Sequence, residues 1–129
     1  MAYNSKELWI PTDTSTVSLA ATASSSEMAV KSGTADVSRG LIAHIHVRAA
    51  SADANNSAVP VKIYDGSDKD TDNLIYSATF DLRADPLQAF DSLGLPIPVF
   101  ATPYVVIGPI ASGATEMNYS VIVYMKGLA

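Results

Sequence analysis

The sequence predicts an all-β fold, an antiparallel β-sandwich or barrel with about eight short strands. Apolar side chains recur at every second position in several segments, which is the period of a strand with one buried face. Runs of β-branched and aromatic residues are separated by short stretches of Asp, Asn, Gly and Ser. A chain of 129 residues, of which 48% are hydrophobic, is long enough for one such domain with its own core.

Residues 1–14 show no periodicity and predict an N-terminal arm, which leaves residues 15–129 to form the sandwich. The alternative is that this segment is the first strand and that Trp9 packs on its own domain. The arm carries apolar side chains suited to anchoring on a partner: Tyr3, Leu8, Trp9 and Ile10.

Strands are predicted along the rest of the chain. Weak candidates lie at residues 16–22 and 27–31. The clearest alternation lies in residues 41–48 and 74–82, and a shorter one in 61–63 precedes an Asp-Gly turn. These patterns predict a core made of the side chains on the apolar faces: Leu41, Ile45, Val47, Ile63, Tyr76, Phe80, Val106 and Val121.

One short helical turn is predicted near residues 86–93. Asp85 is a suitable N-cap, Pro86 suits the first helical position, and Gly94 provides an exit from the turn. Apolar side chains recur three apart within this segment: Leu87, Phe90 and Leu93.

The last part of the chain predicts a proline-rich extended segment followed by a hairpin. Four of the seven prolines fall in residues 96–109, which favours an edge strand or a crossover between sheets. The β-branched runs at residues 104–107 and 119–125 predict a hairpin with a long polar connection between them.

Composition excludes several classes of protein. A net charge of −5 argues against a binder of nucleic-acid backbones, which needs clustered Lys and Arg. The absence of cysteine excludes disulfides, thiolate zinc sites and a cysteine nucleophile. We find neither an apolar run of about twenty residues nor the apolar region of a signal peptide, and therefore expect a protein without a membrane partner that is made in a cytoplasm.

His44 and His46 lie two apart on a predicted strand, so their imidazoles project from the same face and could share a metal ion. The cupin family uses such a pair, but it adds a glutamate a few residues later and a third histidine. Here Arg48 follows instead, and the chain has no other histidine. We therefore predict no metal or other cofactor and interpret the pair, with Arg48, as part of a polar sheet face that contacts a partner.

Two further groups of acidic residues suggest chemistry. The acids of residues 68–72 have the spacing of an EF-hand loop, but Asn73 replaces its glycine and Thr79 its glutamate, so a solvated loop is the better interpretation. Asp81, Asp85 and Asp91 could be taken for glycosidase carboxylates, but a strand face, a helix cap and a helix surface explain them. With no nucleophile elbow and no phosphate loop, we predict no catalytic residues and no enzyme.

Two consecutive segments resemble a recurrent element of small virion proteins of tailed bacteriophages. In residues 61–67, VKIYDGS is similar to a strand ending in Asp-Gly-Ser/Thr, and in 74–80, LIYSATF is similar to the following LLYSxTF-type strand. The later LPIPVF, PYVV and closing VIVYMK are similar too, although Pro103 stands where glycine is usual. The resemblance covers roughly residues 40–126.

The resemblance implies a small jelly-roll sandwich that acts as a capsid decoration, or cement, protein. We therefore expect a virion structural protein that binds the major capsid protein on the outer face of a phage head, as a homotrimer. The residues that we expect to contact partners are Tyr3, Leu8, Trp9, Ile10, His44, His46 and Arg48. One alternative is a receptor- or glycan-binding module of a phage tail or fibre, for which the aromatic platforms would be Trp9, Tyr3, Tyr64 and Tyr124. The other is a cupin-like metal enzyme.

Overall fold

Eleven antiparallel strands and two 3₁₀ turns form the regular structure of the residues that the computed structural model describes, which are 9–11, 15–19, 26–32, 35–37, 39–83, 87–110 and 117–127. The strands are β1 (Trp9–Pro11), β2 (Ser15–Leu19), β3 (Ser26–Ala29), β4 (Lys31–Ser32), β5 (Ala35–Asp36), β6 (Gly40–Ala49), β7 (Val59–Asp65), β8 (Leu74–Phe80), β9 (Gln88–Val99), β10 (Pro103–Ile107) and β11 (Met117–Gly127). The turns span Ala54–Ser57 and Thr71–Asn73. The all-β prediction is confirmed.

Two sheets enclose the core. One has the order β2-β11-β6-β9, with the short β1 paired farther along the same edge of β11, and the other has the order β3-β10-β7-β8. Strands β4 and β5 pair with each other as a small ribbon. The described residues thus form eleven strands, more than the roughly eight that the sequence predicts. The predicted hairpin of residues 104–107 and 119–125 is wrong, because β10 and β11 belong to different sheets and each pairs with strands distant in the sequence.

The core lies between the sheets and follows the two-residue period. Seven of the eight predicted core residues are buried: Ile45, Val47, Ile63, Tyr76, Phe80, Val106 and Val121. Val106 lies apart from the main cluster, since its neighbours Val105 and Ile107 point into the core instead. Each fully buried valine or isoleucine contributes about 1.5–3 kcal/mol to stability, so this alternation dominates the energetics of the fold.

Leu41 is the exception among the predicted core residues. It is only half-buried, whereas its neighbour Ile42 is fully buried. The cause is a β-bulge at Ala43, which the register between β6 and β11 skips in passing from the Tyr124–His44 pair to the Met125–Ile42 pair. An extra residue reverses the side-chain alternation on one side of the bulge, so the sequence period assigned Leu41 to the wrong face.

The predicted helical turn near residues 86–93 is wrong from residue 88 onward, because that part of the segment belongs to β9. It pairs with β6, which places Leu93 against the core and leaves Phe90 exposed. Leu87 has a φ of 61°, which a right-handed helix does not allow. Pairing with the long central strand β6 thus overrides the three-residue spacing.

The prediction of an extended edge strand in the proline-rich region is confirmed for the part that lies in β9, since β9 is the edge strand of its sheet.

Part of the predicted N-terminal arm lies in the sheet. Trp9–Pro11 forms β1, which pairs with residues 124–126 of β11. Residues 1–8 and 12–14, which include Tyr3 and Leu8, lie outside the described residues.

Side-chain hydrogen bonds fix the loops at two places. The Tyr119 hydroxyl of β11 donates to Asn56 Oδ1 at 2.5 Å, and Asn56 is the buried polar side chain of the described core. The Asp65 carboxylate accepts hydrogen bonds from the backbone amides of Phe100 and Ala101, at 3.1 Å and 2.8 Å, and so joins the end of β7 to the turn between β9 and β10. Gly66 follows with a φ of 108°, a conformation that favours glycine, so the predicted Asp-Gly turn is confirmed.

Candidate binding face

His44, His46 and Arg48 lie along the outer side of β6, which pairs with β11 on one edge and β9 on the other. Each is paired with one residue on either neighbouring strand, because directly opposite residues of antiparallel strands share a face. We call this group the outer face, and its members are Tyr124, His44 and Ser92 in the first row, Ile122, His46 and Phe90 in the second, and Ser120, Arg48 and Gln88 in the third.

Ring contacts run across the outer face from β11 to β9. The His46 and Phe90 rings stack with centroids 4.1 Å apart and planes 8° from parallel. His44 also contacts Phe90, at 5.5 Å and 45°, and meets Tyr124 edge-on at 5.2 Å and 78°. The two contacts of His44 lie within the range of about 4.5–7 Å that aromatic pairs prefer, and the His46–Phe90 stack is closer than that range. The four rings therefore form one strip that spans three strands.

Two polar side chains of β9 hold the imidazoles in place. Gln88 Oε1 lies 2.9 Å from His46 Nε2, and Ser92 Oγ lies 2.8 Å from His44 Nδ1. One nitrogen of each ring is therefore engaged with a neighbour on β9. Within the described part of the chain, no group of three or more His, Cys, Asp or Glu side chains could hold a metal ion. The two-histidine metal hypothesis gains no third ligand there.

The outer face exposes apolar surface next to a cavity. Phe90 is 57% exposed, and Leu95, on the same strand, is 85% exposed. A surface cavity of about 420 Å³ opens between β9 and the rings of His44 and Tyr124. Phe100 is 70% exposed as well, but it lies outside the outer face, in the turn after β9. Single exposed apolar side chains are normal on protein surfaces. Phe90 differs from Leu95 and Phe100 in that it also contacts the two histidine rings of the outer face.

Arg48 is the one residue of the outer face with a permanent charge. It is exposed, forms no ion pair with a described residue, and borders a shallower cavity of about 240 Å³ together with Ala50 and Ser120. The outer face is thus nearly uncharged and aromatic at one end, with a single cation at the other.

The remaining sequence candidates form separate, local arrangements. Asp68, Asp70 and Asp72 lie on an exposed loop, where Lys69 forms an ion pair with Glu27 of β3 that raises the pKa of the lysine. Asn73 Nδ2 donates to the Asp68 carbonyl at 3.1 Å and closes the loop. These contacts are those of a solvated connection.

The two candidate carboxylates that the structure describes, Asp81 and Asp91, each have a different partner. Asp81 binds Arg83, whose hydrogen bonds lower the pKa of the carboxyl group. Asp91, predicted on a helix surface, instead lies on β9 and accepts a 2.6 Å hydrogen bond from the Tyr76 hydroxyl across the core. Burial, and then this hydrogen bond, raises the pKa of Tyr76. Asp85 lies outside the described residues.

Of the predicted partner contacts, the structure brings together His44, His46 and Arg48. Trp9 and Ile10 lie in β1, on the far edge of β11 from β6, whereas Tyr3 and Leu8 are outside the described part. The sequence missed Phe90, Ser92 and Gln88, because which strand lies beside β6 cannot be derived from alternation within one strand. A strand pattern that ran without interruption through Phe90 would have been the sequence signal that identified these three residues.

No family model, no curated protein and no solved structure matches this chain. In the described residues, no helix has both the length and the apolar character needed to cross a membrane.

Proposed function

We propose that this protein is a capsid decoration protein of a tailed bacteriophage, a binding protein and not an enzyme. It attaches to the major capsid protein on the exterior of the head, works as a homotrimer, and is made in the host cytoplasm. The observation that carries the proposal is the outer face, a partly exposed strip of rings that crosses three strands and bears one permanent charge.

The chemistry of the outer face supports a protein partner. Interface centres are depleted in charge and enriched in aromatic residues, and Phe90 together with its two histidine neighbours has this composition. Arg48 lies at the rim, where a cation accelerates encounter with an acidic partner and adds little to the final affinity. Three linked copies on a symmetric shell would strengthen weak contacts by about 10²–10⁴.

The strand order and the Asp-Gly turn support the resemblance to virion proteins. Each sheet takes strands from both halves of the chain, and strands β6 and β7, β8 and β9, and β9 and β10 lie in opposite sheets. Such crossings between sheets support the jelly roll that the resemblance implies. The Asp-Gly of the resembling segment ties β7 to the turn before β10, so that motif has a structural role.

Two exposed phenylalanines provide a matched test of the proposal. Phe90→Ser removes the ring at the centre of the outer face, and Phe100→Ser removes a somewhat more exposed ring outside it. We expect expanded phage heads lacking the protein to bind wild type and Phe100→Ser alike, and to bind Phe90→Ser at least about tenfold more weakly. Heads that bind neither wild type nor variants would refute the decoration function, and equal binding by all three would refute the role of the outer face.

A glycan-binding module is the second candidate, because Tyr124, one of the predicted platforms, borders the 420 Å³ cavity. Sugar rings stack on aromatic side chains, and His44 and Ser92 offer polar atoms nearby. Binding of an oligosaccharide panel by the isolated protein would favour this function over the first.

A further inference from the structure

The cavity beside the outer face results from an irregularity in β9. Residues 93–96 of β9 lie opposite the single residue Ala43 of β6, between the His44–Ser92 and Ile42–Ile97 pairs. Extra residues on one strand make it bulge away from its partner. The bulge forms one wall of the cavity, and the rings of His44 and Tyr124 form another.

The cavity lining is mostly apolar. Carbon surfaces come from Ala43, Leu93 and Pro96, and no Asp, Glu, Lys or Arg side chain takes part. His44 is the one basic residue of the lining, and its Nδ1 is already engaged with Ser92. An ammonium group would therefore find no carboxylate there, and an anion would find only this imidazole. A volume of about 420 Å³ is within the range of pockets that hold a ligand group.

The polar groups of the cavity favour an apolar occupant over a sugar. Ser92 Oγ and His44 Nδ1 already satisfy each other at 2.8 Å. A sugar needs several directed hydrogen bonds, and would compete with this pair to obtain them. An apolar side chain needs no such hydrogen bonds, and it would pack against the carbon surfaces of Ala43, Leu93 and Pro96.

We propose that this cavity is an anchor pocket that receives one large, uncharged apolar side chain, of leucine to phenylalanine size, from the capsid protein. The inference rests on the proposed function and adds the chemistry of the partner's contact residue. Interfaces concentrate their affinity in such anchors, where a side chain fills a desolvated pocket and weaker contacts surround it.

Gly94 allows the pocket to be filled from its own wall. It borders the cavity, its φ is outside the left-handed region, and a Cβ built on it has no atom within 4 Å. Gly94→Leu therefore adds a large apolar side chain at the cavity wall without forcing the backbone. Ser77→Leu, at an exposed position of β8 in the other sheet, is the control for adding the same side chain elsewhere.

The first experiment uses a small probe and needs no phage. N-acetyl-leucinamide is titrated into ¹⁵N-labelled protein, with methyl glucoside and N-acetyl-aspartate in parallel. We expect only the leucine probe to shift the amides of Ala43, His44 and Ser92, in wild type and Ser77→Leu but not in Gly94→Leu. Shifts with the glucoside instead would make the cavity a sugar site, and no shifts with the leucine probe would overturn the proposal.

The second experiment measures binding to expanded heads that lack the protein. Gly94→Leu should bind at least about tenfold more weakly than wild type, and Ser77→Leu should bind equally well, with melting temperatures unchanged. If Gly94→Leu binds heads as wild type does, the anchor pocket is refuted while the decoration function stands. If wild type itself does not bind heads, the decoration function fails, and with it the capsid protein as the source of the anchor.

Discussion

The two sides of β6 have different environments and, we propose, different tasks. Ile45 and Val47 on its inner side are fully buried between the sheets, whereas His44 and His46 on its outer side remain partly exposed. The inner side chains are held by apolar packing from the opposite sheet, and the outer ones by ring contacts and polar pairs along their own sheet. Stability should therefore depend on the inner side chains and binding on the outer ones, and substitutions should separate the two.

The largest expected effect is on the inner side of the sandwich. Phe80 is buried, so Phe80→Ala should lower the free energy of unfolding by about 3–5 kcal/mol through lost burial and the cavity left behind. Urea denaturation followed by circular dichroism measures this change. A loss below about 1 kcal/mol would mean that the ring contributes little to the core.

The next effect concerns the buried polar contact at the edge of the core. Tyr119→Phe removes the donor to Asn56 Oδ1 and should cost about 1–3 kcal/mol, because a buried acceptor loses a partner. Tyr64→Phe, at a half-buried position of β7, serves as the control for removing a hydroxyl. Equal stabilities for the two variants would show that the Tyr119–Asn56 hydrogen bond has no net effect.

The dependence of stability on alkaline pH tests the hydrogen bond between Tyr76 of one sheet and Asp91 of the other. Burial and the hydrogen bond to Asp91 raise the pKa of Tyr76 in the folded protein, whereas the unfolded chain loses that proton near about pH 10. The unfolded state then binds fewer protons, so the free energy of unfolding should fall above that pH, by up to ~1.4 kcal/mol per pH unit for this group. Urea midpoints between pH 9 and 11 should fall less steeply for Tyr76→Phe, and parallel curves would contradict this explanation.

On the outer face, the expected effect on stability is small. Phe90 is more than half exposed, so Phe90→Ser should change the free energy of unfolding by less than about 1 kcal/mol even though it weakens binding to heads. Differential scanning calorimetry checks this. A loss as large as that of Phe80→Ala would mean that the stacked rings support the fold, and the separation of tasks would fail.

The smallest expected effect is that of a chelator. We predict that His44 and His46 hold no structural metal, since each has one nitrogen engaged with a side chain of β9. EDTA should leave the melting temperature unchanged, and elemental analysis should find far less than one metal ion per chain. A clear drop in melting temperature would require a ligand that the described residues do not include.

The two-residue period predicted most of the core but not the places where the strands are irregular. It located Ile45, Val47 and Phe80 correctly because one unbroken strand determines its own alternation. It failed at Leu41, where a bulge shifts the pattern, and at Phe90, where pairing with β6 overrides a local helical spacing. Bulges and strand neighbours depend on distant parts of the chain, so a local pattern does not contain them.

The candidate site was predictable only in part, for the same reason. His44, His46 and Arg48 could be placed on one face from their spacing alone. The ring that completes the strip and the wall of the cavity both come from β9, whose position beside β6 is a property of the whole sheet. Residues from a single strand can therefore suggest a face, but the assembled sheet is needed to define a site.

A cryo-electron microscopy reconstruction of expanded heads saturated with the protein tests the central claim most directly. We predict that the outer face, with Phe90 and His46 at its centre, lies against the major capsid protein, and that the cavity beside Gly94 holds an apolar side chain of that partner. A reconstruction in which the outer face points to solvent and another surface contacts the capsid would contradict this account.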